Sequence, residues 1–259
     1  MKMSIKPKLI VRDFNTLKEV LTATSNFISD DITLKFEPQS IRIQECDRSM
    51  VSYLDIKVSA GYFDEFEIEP SDKSKLKGPN SISFNLEGLL EILKSLDKNS
   101  KIKIETIENK LSITEDSEFS TNMTLDLIDR EKSEEPIKIE TMAWDSEFTI
   151  KSNIFAKMID KMAKLKSDSV IIEAGENITF TDQKGHKLTL NVGDDTILEY
   201  NKKPAKSRFS LDYLKKFAKF CKTFDNVKVN LKTDFPLKLG FQSDNITIIG
   251  ILAPRVEEA

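Results

Sequence analysis

The sequence predicts an α+β protein in which one unit, an amphipathic helix followed by two short strands, occurs four times. The copies begin at Leu17, Leu86, Asn153 and Ser210. In each copy, apolar residues recur at helical spacing before the pattern changes to two strand-like segments that a turn separates. A single unit buries only one of its faces, so it must stack on its neighbours to complete a core. We therefore expect the helices to share one side of the molecule and the strands the other.

The four copies differ in length but keep the same order of elements. The first has a helix from Leu17 to Ile28, then ITLKF (32–36) and IRIQE (41–45). The second has LEGLLEILKSLDK, then KIKIET and KLSITE. The third has NIFAKMIDKMAKLKS, then VIIEA and NITFTD. The fourth has SLDYLKKFAKFCKTF, then VKVNLK and PLKLGF.

Two charged stretches interrupt the repeats. The segment EPSDKSKLKGPN (69–80) is typical of a solvated loop, and DREKSEEPIKIET (129–141) lies between the second and third copies. The second stretch therefore predicts a connector between two similar domains of two repeats each. The predicted boundaries are 1–128 for the N-terminal domain, 129–141 for the connector and 142–259 for the C-terminal domain.

Composition limits the function classes. The chain has 259 residues with 39 Lys and Arg against 43 Asp and Glu, which argues against a uniformly basic protein that coats nucleic acid. The two cysteines, Cys46 and Cys221, form no metal-ligand spacing and indicate a reducing compartment. The N-terminus lacks the apolar core of a signal peptide, and no stretch approaches the roughly 18 apolar residues of a membrane span. We expect a cytoplasmic protein without membrane association.

Helical wheels separate apolar from basic residues. In the third helix, Phe155, Met158 and Met162 belong to the apolar stripe, and in the fourth, Leu214 and Phe217 do. The lysines predicted on or beside the outward faces are Lys18, Lys94, Lys98, Lys157, Lys161, Lys164, Lys215, Lys216 and Lys219. On one helix such lysines mark an ordinary solvated face. The same bias on three of four helices predicts a local positive surface for a phosphate backbone, and the absence of interleaved aromatics there favours duplex over single strands.

Residue patterns of catalysis are sparse. His186 is the sole histidine, and the sequence has neither a glycine-rich phosphate loop nor a nucleophile elbow. We therefore expect no enzymatic activity, no cofactor and no metal site. One alternative from another class stays open, because Asp126 with Asp129 and Asp194 with Asp195 could hold magnesium in a nuclease.

Four ordered motifs carry a resemblance to a known family. They are ECDRSMVSYLDI (45–56), SDSVIIEAGENITFT (167–181), DFPLKLGF (234–241) and ILAPRVEE (251–258). Over its whole length the chain resembles the sliding clamps of the proliferating cell nuclear antigen family, from archaea and eukaryotes. The resemblance implies the DNA clamp fold, a closed trimeric ring whose helices line a channel around duplex DNA and whose sheets form the rim.

The resemblance also implies roles for particular residues. Lys18, Lys94, Lys157, Lys164 and Lys219 match channel positions. The family often has a basic residue where this chain has Glu91, Asp160 and Asp212. Ring edges are implied at the strands around 118–126 and 186–192, which would pair head to tail.

A site for partner peptides is implied in the same way. The matching positions are Cys46, Met50, Val51, Tyr53, Pro136, Ile137, Pro236, Ala253, Pro254 and Arg255. Met50 stands where many members have a histidine, and Arg255 replaces the usual lysine. Glu134 and Glu135 stand where an apolar residue would help to cover the peptide.

The implied function is that of a processivity factor associated with the nucleoid. The implied partners are double-stranded DNA and, through short peptide motifs, DNA polymerase, the clamp loader, flap endonuclease and DNA ligase. The acidic SEFSTNMTLDL and the basic GHKLTLNV are complementary edges that favour a homotrimer. Two alternatives stay open: one subunit of a heterotrimeric clamp, and a scaffold that never encloses DNA.

Overall fold

A computed structural model describes residues 5–11, 14–28, 30–70, 80–97, 100–130, 137–193 and 195–255 of the chain. The helices are α1 (Asn15–Thr24), α2 (Leu86–Ser95), α3 (Ser152–Lys164) and α4 (Leu211–Phe217). Short 3-10 helices span Ala60–Tyr62, Ile139–Thr141 and Phe220–Lys222. The strands of the first half are β1 (Ile5–Val11), β2 (Asp31–Glu37), β3 (Ser40–Cys46), β4 (Ser52–Ser59), β5 (Glu65–Pro70), β6 (Ser81–Asn85), β7 (Lys101–Ile107), β8 (Lys110–Asp116) and β9 (Ser120–Asp126). Those of the second half are β10 (Ser146–Lys151), β11 (Ser169–Ala174), β12 (Ile178–Asp182), β13 (Lys187–Leu190), β14 (Ile197–Tyr200), β15 (Ala205–Ser210), β16 (Asn226–Leu231), β17 (Leu237–Gln242) and β18 (Ile246–Leu252).

The chain forms two compact units. The first comprises Met1–Glu45, Asp55–Pro136 and Asp244–Ile246, and the second comprises Cys46–Leu54, Ile137–Ser243 and Thr247–Ala259. Each unit contains two helices. The domain boundaries at 128 and 142 stay a prediction, because residues 131–136 of the connector lie outside the described residues.

The structure confirms the repeat and extends it by two strands. Each copy has a strand before its helix and three strands after it, in the order β1-α1-β2-β3-β4, β6-α2-β7-β8-β9, β10-α3-β11-β12-β13 and β15-α4-β16-β17-β18. In the second, third and fourth copies the strand before the helix runs directly into it. At α2, for example, the Asn85 side chain accepts a 2.9 Å hydrogen bond from the backbone N–H of Gly88 and caps the helix.

The two copies within a unit exchange their first strands. In the first unit, β1 pairs with β7 of the second copy, and β6 pairs with β2 of the first copy. In the second unit, β10 pairs with β16 and β15 pairs with β11. All four pairings are antiparallel. Each copy therefore completes a sheet of the other, which gives a physical reason for the repeats to occur in pairs.

Two of the strands at the ends of sheets, β9 and β13, lie where ring edges are implied. The strand order of one sheet in the first unit is β5-β1-β7-β8-β9, and that of one sheet in the second unit is β13-β12-β11-β15. β9 and β13 thus coincide with the edges expected at 118–126 and 186–192. An end strand offers backbone N–H and C=O groups that another chain can pair with.

The helices pack in pairs, α1 beside α2 and α3 beside α4. Their predicted apolar stripes are buried, including Phe155, Met158 and Met162 on α3 and Leu214 and Phe217 on α4. In the described part of the chain, no helix is long and apolar enough to cross a membrane.

The fourth helix is shorter than predicted. We expected one helix from Ser210 to Phe224, but α4 ends at Phe217, and hydrogen bonds to the third preceding residue then form the 3-10 helix Phe220–Lys222. The tighter winding brings Phe220 inward beside Phe217, since residues three apart in a 3-10 helix lie on the same side. Cys221 is half-buried, and burial raises the pKa of its thiol to about 12.

Candidate nucleic-acid and peptide interfaces

The helices of the second unit carry an exposed basic surface. Lys157, Lys161 and Lys219 are exposed, and none has a carboxylate within 4.0 Å among the residues that the structure describes. Lys164 pairs with Asp160 at 2.7 Å. Because α3 and α4 pack side by side, the exposed faces of both helices contribute to one surface of this unit.

Two lysines of α4 contact side chains of the same helix. Lys215 pairs with Asp212 at 3.1 Å, so part of its charge is neutralised. Lys216 was predicted to point outward but is half-buried, with its ammonium group 4.7 Å from the centre of the Tyr213 ring. Such a cation–π contact keeps the charge while it restricts the side chain.

The first unit offers fewer free basic groups on its helices. Lys94 is exposed, whereas Lys18 is half-buried with its ammonium group 5.7 Å from the centre of the Phe14 ring. Lys98 lies outside the described residues. The exposed Glu87 and Glu91 share α2 with Lys94. The positive field of the helices is therefore strongest on α3 and α4.

A buried carboxylate organises the loop that carries Met50 and Val51. Asp47 accepts backbone hydrogen bonds from Ser49, Val51 and Ser52 at 3.1, 2.9 and 2.6 Å. Met50 adopts a left-handed backbone conformation (φ 56°), and its side chain is 59% exposed. These hydrogen bonds to Asp47 fix the conformation of the loop, so the apolar side chain of Met50 stays exposed at its surface.

Next to this loop, the second unit has an apolar cluster. Tyr53, Ile139 and Ile251 are buried in it, and the partly buried Cys46, Trp144 and Ile249 pack against them. The resemblance implied that Tyr53 contacts a peptide, but only 3% of Tyr53 is exposed. A direct peptide contact by Tyr53 is therefore not supported, and the ring forms part of the floor beneath Trp144.

The C-terminal tail joins the same unit through its backbone. The N–H of Ala253 donates to the carbonyl of Val51 at 2.9 Å, and that of Arg255 donates to the carbonyl of Arg208 at 2.8 Å. Ala253, Pro254 and Pro236 are half-buried, and Arg255 is exposed. Ile137 is 40% exposed. Pro136, the remaining residue predicted for this site, lies outside the described residues.

Sequence reasoning missed an aromatic and basic group beside the cluster. The ring planes of Trp144 and Phe235 meet edge to face at 77°, and Lys238 and Lys232 lie over them. Trp144 Nε1 donates a 2.8 Å hydrogen bond to the carbonyl of Pro236. The sequence did offer one signal: Trp144 is its only tryptophan and lies three residues after the predicted connector.

The acidic residues considered for a nuclease have other surroundings. The exposed side chain of Asp126 pairs with that of Lys110 at 3.4 Å, and Asp194 lies outside the described residues. In the described ranges, no group of three or more His, Cys, Asp or Glu side chains could hold a metal ion. His186 Nδ1 lies 2.8 Å from Asp182 Oδ2 in the turn between β12 and β13. Burial alone would raise the pKa of Asp182, but hydrogen bonds from His186 and Lys184 hold it below its usual value.

Known proteins with this arrangement are DNA clamps. Residues 138–256 match the family model described as proliferating cell nuclear antigen, C-terminal domain. The chain is 26% identical over 253 residues to the DNA polymerase sliding clamp of Methanothrix thermoacetophila, which covers 96% of this chain and 98% of that one. It is 27% identical over 240 residues to DNA polymerase sliding clamp 3 of Sulfurisphaera tokodaii, with 89% and 92% covered.

Solved structures agree in fold. The PCNA2-PCNA3 complex of Sulfolobus tokodaii contains a chain with a TM-score of 0.83 and 24% identity, with 96% of this chain and 100% of that chain covered. PCNA of Thermococcus kodakaraensis also gives 0.83, at 21% identity and the same coverage. The fold of this chain is therefore that of a DNA-clamp subunit. Residues 138–256 thus match the C-terminal domain of the proliferating cell nuclear antigen family, and the chain as a whole is similar to archaeal DNA polymerase sliding clamps.

Proposed function

We propose that this chain is a DNA sliding clamp, a processivity factor that encircles duplex DNA and tethers replication and repair enzymes. Persistence on DNA would come from the closed ring, while lysines make loose, sequence-independent contacts with phosphates. The clamp would act inside the cell in association with the nucleoid. Clamps of this family are non-catalytic, and we propose the same for this chain.

The observation that carries the proposal is the basic surface of α3 and α4 on an acidic protein. Lys157, Lys161 and Lys219 project from it without a neighbouring carboxylate within 4.0 Å in the described part of the chain, although the whole chain has a formal net charge of −4. Charge segregated in this way attracts a polyanion locally. A fold match over 96% of the chain supports the same function.

Processive DNA synthesis tests the proposal. The assay is extension of a single primer on circular single-stranded DNA by an archaeal DNA polymerase that depends on a sliding clamp, with its clamp loader and ATP. We expect long products only when this chain is present, at a salt concentration that stops the polymerase alone. Product lengths that are the same with and without the chain, at every salt concentration, would contradict the proposal.

For assembly we propose a homotrimer, supported by end strands of opposite charge, β9 with Glu118 beside it and β13 with Lys187. A specific observation keeps a heterotrimer as the second candidate. One similar protein is named sliding clamp 3, and one similar structure is a complex of two different clamp subunits. For partners we propose DNA polymerase, clamp loader, flap endonuclease and DNA ligase. Their short motifs would dock on the surface around Met50, Ile137 and Pro254.

A further inference from the structure

Four side chains of the second unit form a surface group that we call the Trp144 patch: Trp144, Phe235, Lys232 and Lys238. The two ring centres are 6.1 Å apart. The ammonium group of Lys238 lies 5.1 Å from the centre of the Trp144 ring, and that of Lys232 lies 5.1 Å from the centre of the Phe235 ring. All four residues are half-buried. The rings hold both lysine side chains in place, which lowers the entropy lost when an anion binds to them.

The charges of both lysines remain available. In the described ranges, no carboxylate lies within 4.0 Å of either ammonium group. The charge of Lys238 helps to lower the pKa of Glu147, but this carboxylate already has other partners. Glu147 pairs with Lys228 at 2.7 Å and accepts a hydrogen bond from Asn230 at 2.7 Å. Lys232 and Lys238 thus present two positive charges at fixed positions.

The patch adjoins the surface proposed for partner peptides. Trp144 packs on the cluster that contains Cys46 and Tyr53, and its indole donates to the carbonyl of Pro236. A peptide whose aromatic side chain rests on this cluster would bring its neighbouring residues to Lys232 and Lys238. Anionic side chains at those positions meet complementary charge.

We infer that the partner peptides of this chain carry acidic residues beside their aromatic anchor, and that Lys232 and Lys238 recognise those acidic residues. The inference rests on the proposed function and specifies the class of its partners. The patch is less suited to single-stranded nucleic acid. Lys238 covers one face of Trp144 and Phe235 packs against the ring edge to face, so base stacking on this ring is disfavoured.

Three peptides with one shared core test the inference. The core is Gln-x-x-Ile-x-x-Phe-Phe, and the residues that follow are two aspartates, two serines or two lysines. Calorimetric titration would measure their affinities for the wild-type protein, for Lys232→Glu with Lys238→Glu, and for the control Lys151→Glu with Lys166→Glu. The control reverses two exposed lysines of the same unit and so causes the same change in net charge.

We expect the aspartate peptide to bind about tenfold more tightly than the lysine peptide to the wild type and the control, with a difference that shrinks as salt is added. The patch variant should lose or reverse this preference, whereas the control should keep it. Equal affinities of the three peptides for the wild type would overturn the inference, as would the absence of any peptide binding. A single-stranded oligonucleotide that binds the patch and displaces the peptide would also overturn it. Once the ring is on circular DNA, its retention depends on ring closure and not on the acidic residues of a peptide. Normal retention together with equal affinities for the three peptides would therefore contradict this inference and leave the clamp function intact.

Discussion

The hydroxyl of Tyr213 donates a 2.6 Å hydrogen bond to Oδ2 of Asp47. This bond ties the helix α4, which carries Lys215 and Lys216, to the loop that exposes Met50. Burial alone would raise the pKa of Asp47. Hydrogen bonds from the Tyr213 hydroxyl and from Ser52 and Ser49 outweigh burial and hold that pKa below its usual value. Asp47 therefore stays ionised inside the unit and fixes both elements.

Replacement of Tyr213 by phenylalanine should destabilise the protein in a pH-dependent way. The change removes a donor from a buried carboxylate, which costs about 2 kcal/mol at pH 7. Because the pKa of Asp47 is lowered in the folded state, its stabilising contribution is present above the unfolded pKa of about 3.9 and is lost as the pH falls through the folded value. Urea unfolding at pH 7 and at pH 3 should show the difference between wild type and Tyr213→Phe narrowing at the lower pH.

Tyr200→Phe is the matched control, since the hydroxyl of Tyr200 donates a 2.6 Å bond to the neutral carbonyl of Gly175. Its cost should be about 1 kcal/mol at both pH values. A Tyr213→Phe effect that is equally independent of pH would refute the role assigned to Asp47.

Arg130, at the start of the predicted connector, should be essential for the stability of the first unit. Its guanidinium group contacts both carboxylate oxygens of Glu45 at 2.6 and 3.1 Å, and the Glu45 side chain is 5% exposed. Arg130→Ala leaves this buried charge unpaired and should cost about 3 kcal/mol in denaturant unfolding. Adding Glu45→Gln should restore part of the loss. Lys110→Ala, which breaks the exposed pair with Asp126, should cost under about 0.5 kcal/mol; equal losses in both variants would contradict this account.

Gly250 is a position where any side chain should destabilise the second unit. A Cβ atom there would overlap the ring of Phe217, which is fully buried. We expect Gly250→Ala to lower the free energy of unfolding by about 3 kcal/mol through overpacking. Gly240→Ala is the control, because its Cβ would lie 3.6 Å from Lys228 Cβ, an ordinary contact. Combining Gly250→Ala with Phe217→Leu should cost less than the sum of the two single changes, and strict additivity would argue against the clash.

Removing the exposed lysines of the second unit's helices should impair clamp loading without loss of stability. Replacement of Lys157, Lys161, Lys164 and Lys219 by alanine should weaken clamp loading and clamp-dependent synthesis, and the defect should grow with salt. Each exposed change should cost under about 0.5 kcal/mol in stability. The control replaces four exposed lysines on strands, Lys6, Lys57, Lys101 and Lys206. A normal response of the helix variant at all salt concentrations, or an equal defect in the control, would refute the proposed role of the lysines.

Assembly through β9 and β13 predicts the mass of the purified protein. A self-compatible pair of edges should close a ring with about three times the 29.5 kDa of one chain, measured by light scattering after size exclusion. Lys187→Glu and Phe119→Ser should each weaken the trimer, because the first reverses a charge on β13 and the second removes a 67% exposed aromatic beside β9. A monomer at micromolar concentration would instead favour the heterotrimer.

Local patterns in the sequence predicted the helices and the two strands after each helix. The periodicity of Phe155, Met158 and Met162 fixes which face of α3 is buried, and alternation marks β7 and β8. The exchange of β1 with β6 could not be predicted in this way, since each of these strands pairs with a strand from the other copy. Pairing over such distances depends on the tertiary structure rather than on local pattern.

The same distinction between local pattern and tertiary structure applies to the candidate sites. Helical wheels located Lys157 and Lys161, because exposure on a helix follows from spacing alone. The sequence did not reveal that Asp160 and Tyr213 restrain neighbouring lysines, or that Trp144 joins Lys238. Those contacts depend on side-chain conformations and on chain segments brought together by folding.

Topological retention on DNA tests the central claim most directly. The chain would be loaded on nicked circular DNA by a clamp loader, and the complex would be passed through a gel-filtration column at about 0.3 M salt, where phosphate contacts alone are weak. An encircling ring should elute with the circular DNA and be released when a restriction enzyme cuts that DNA into a linear form. If the chain dissociates equally from circular and linear DNA, it does not encircle the duplex, and the account fails.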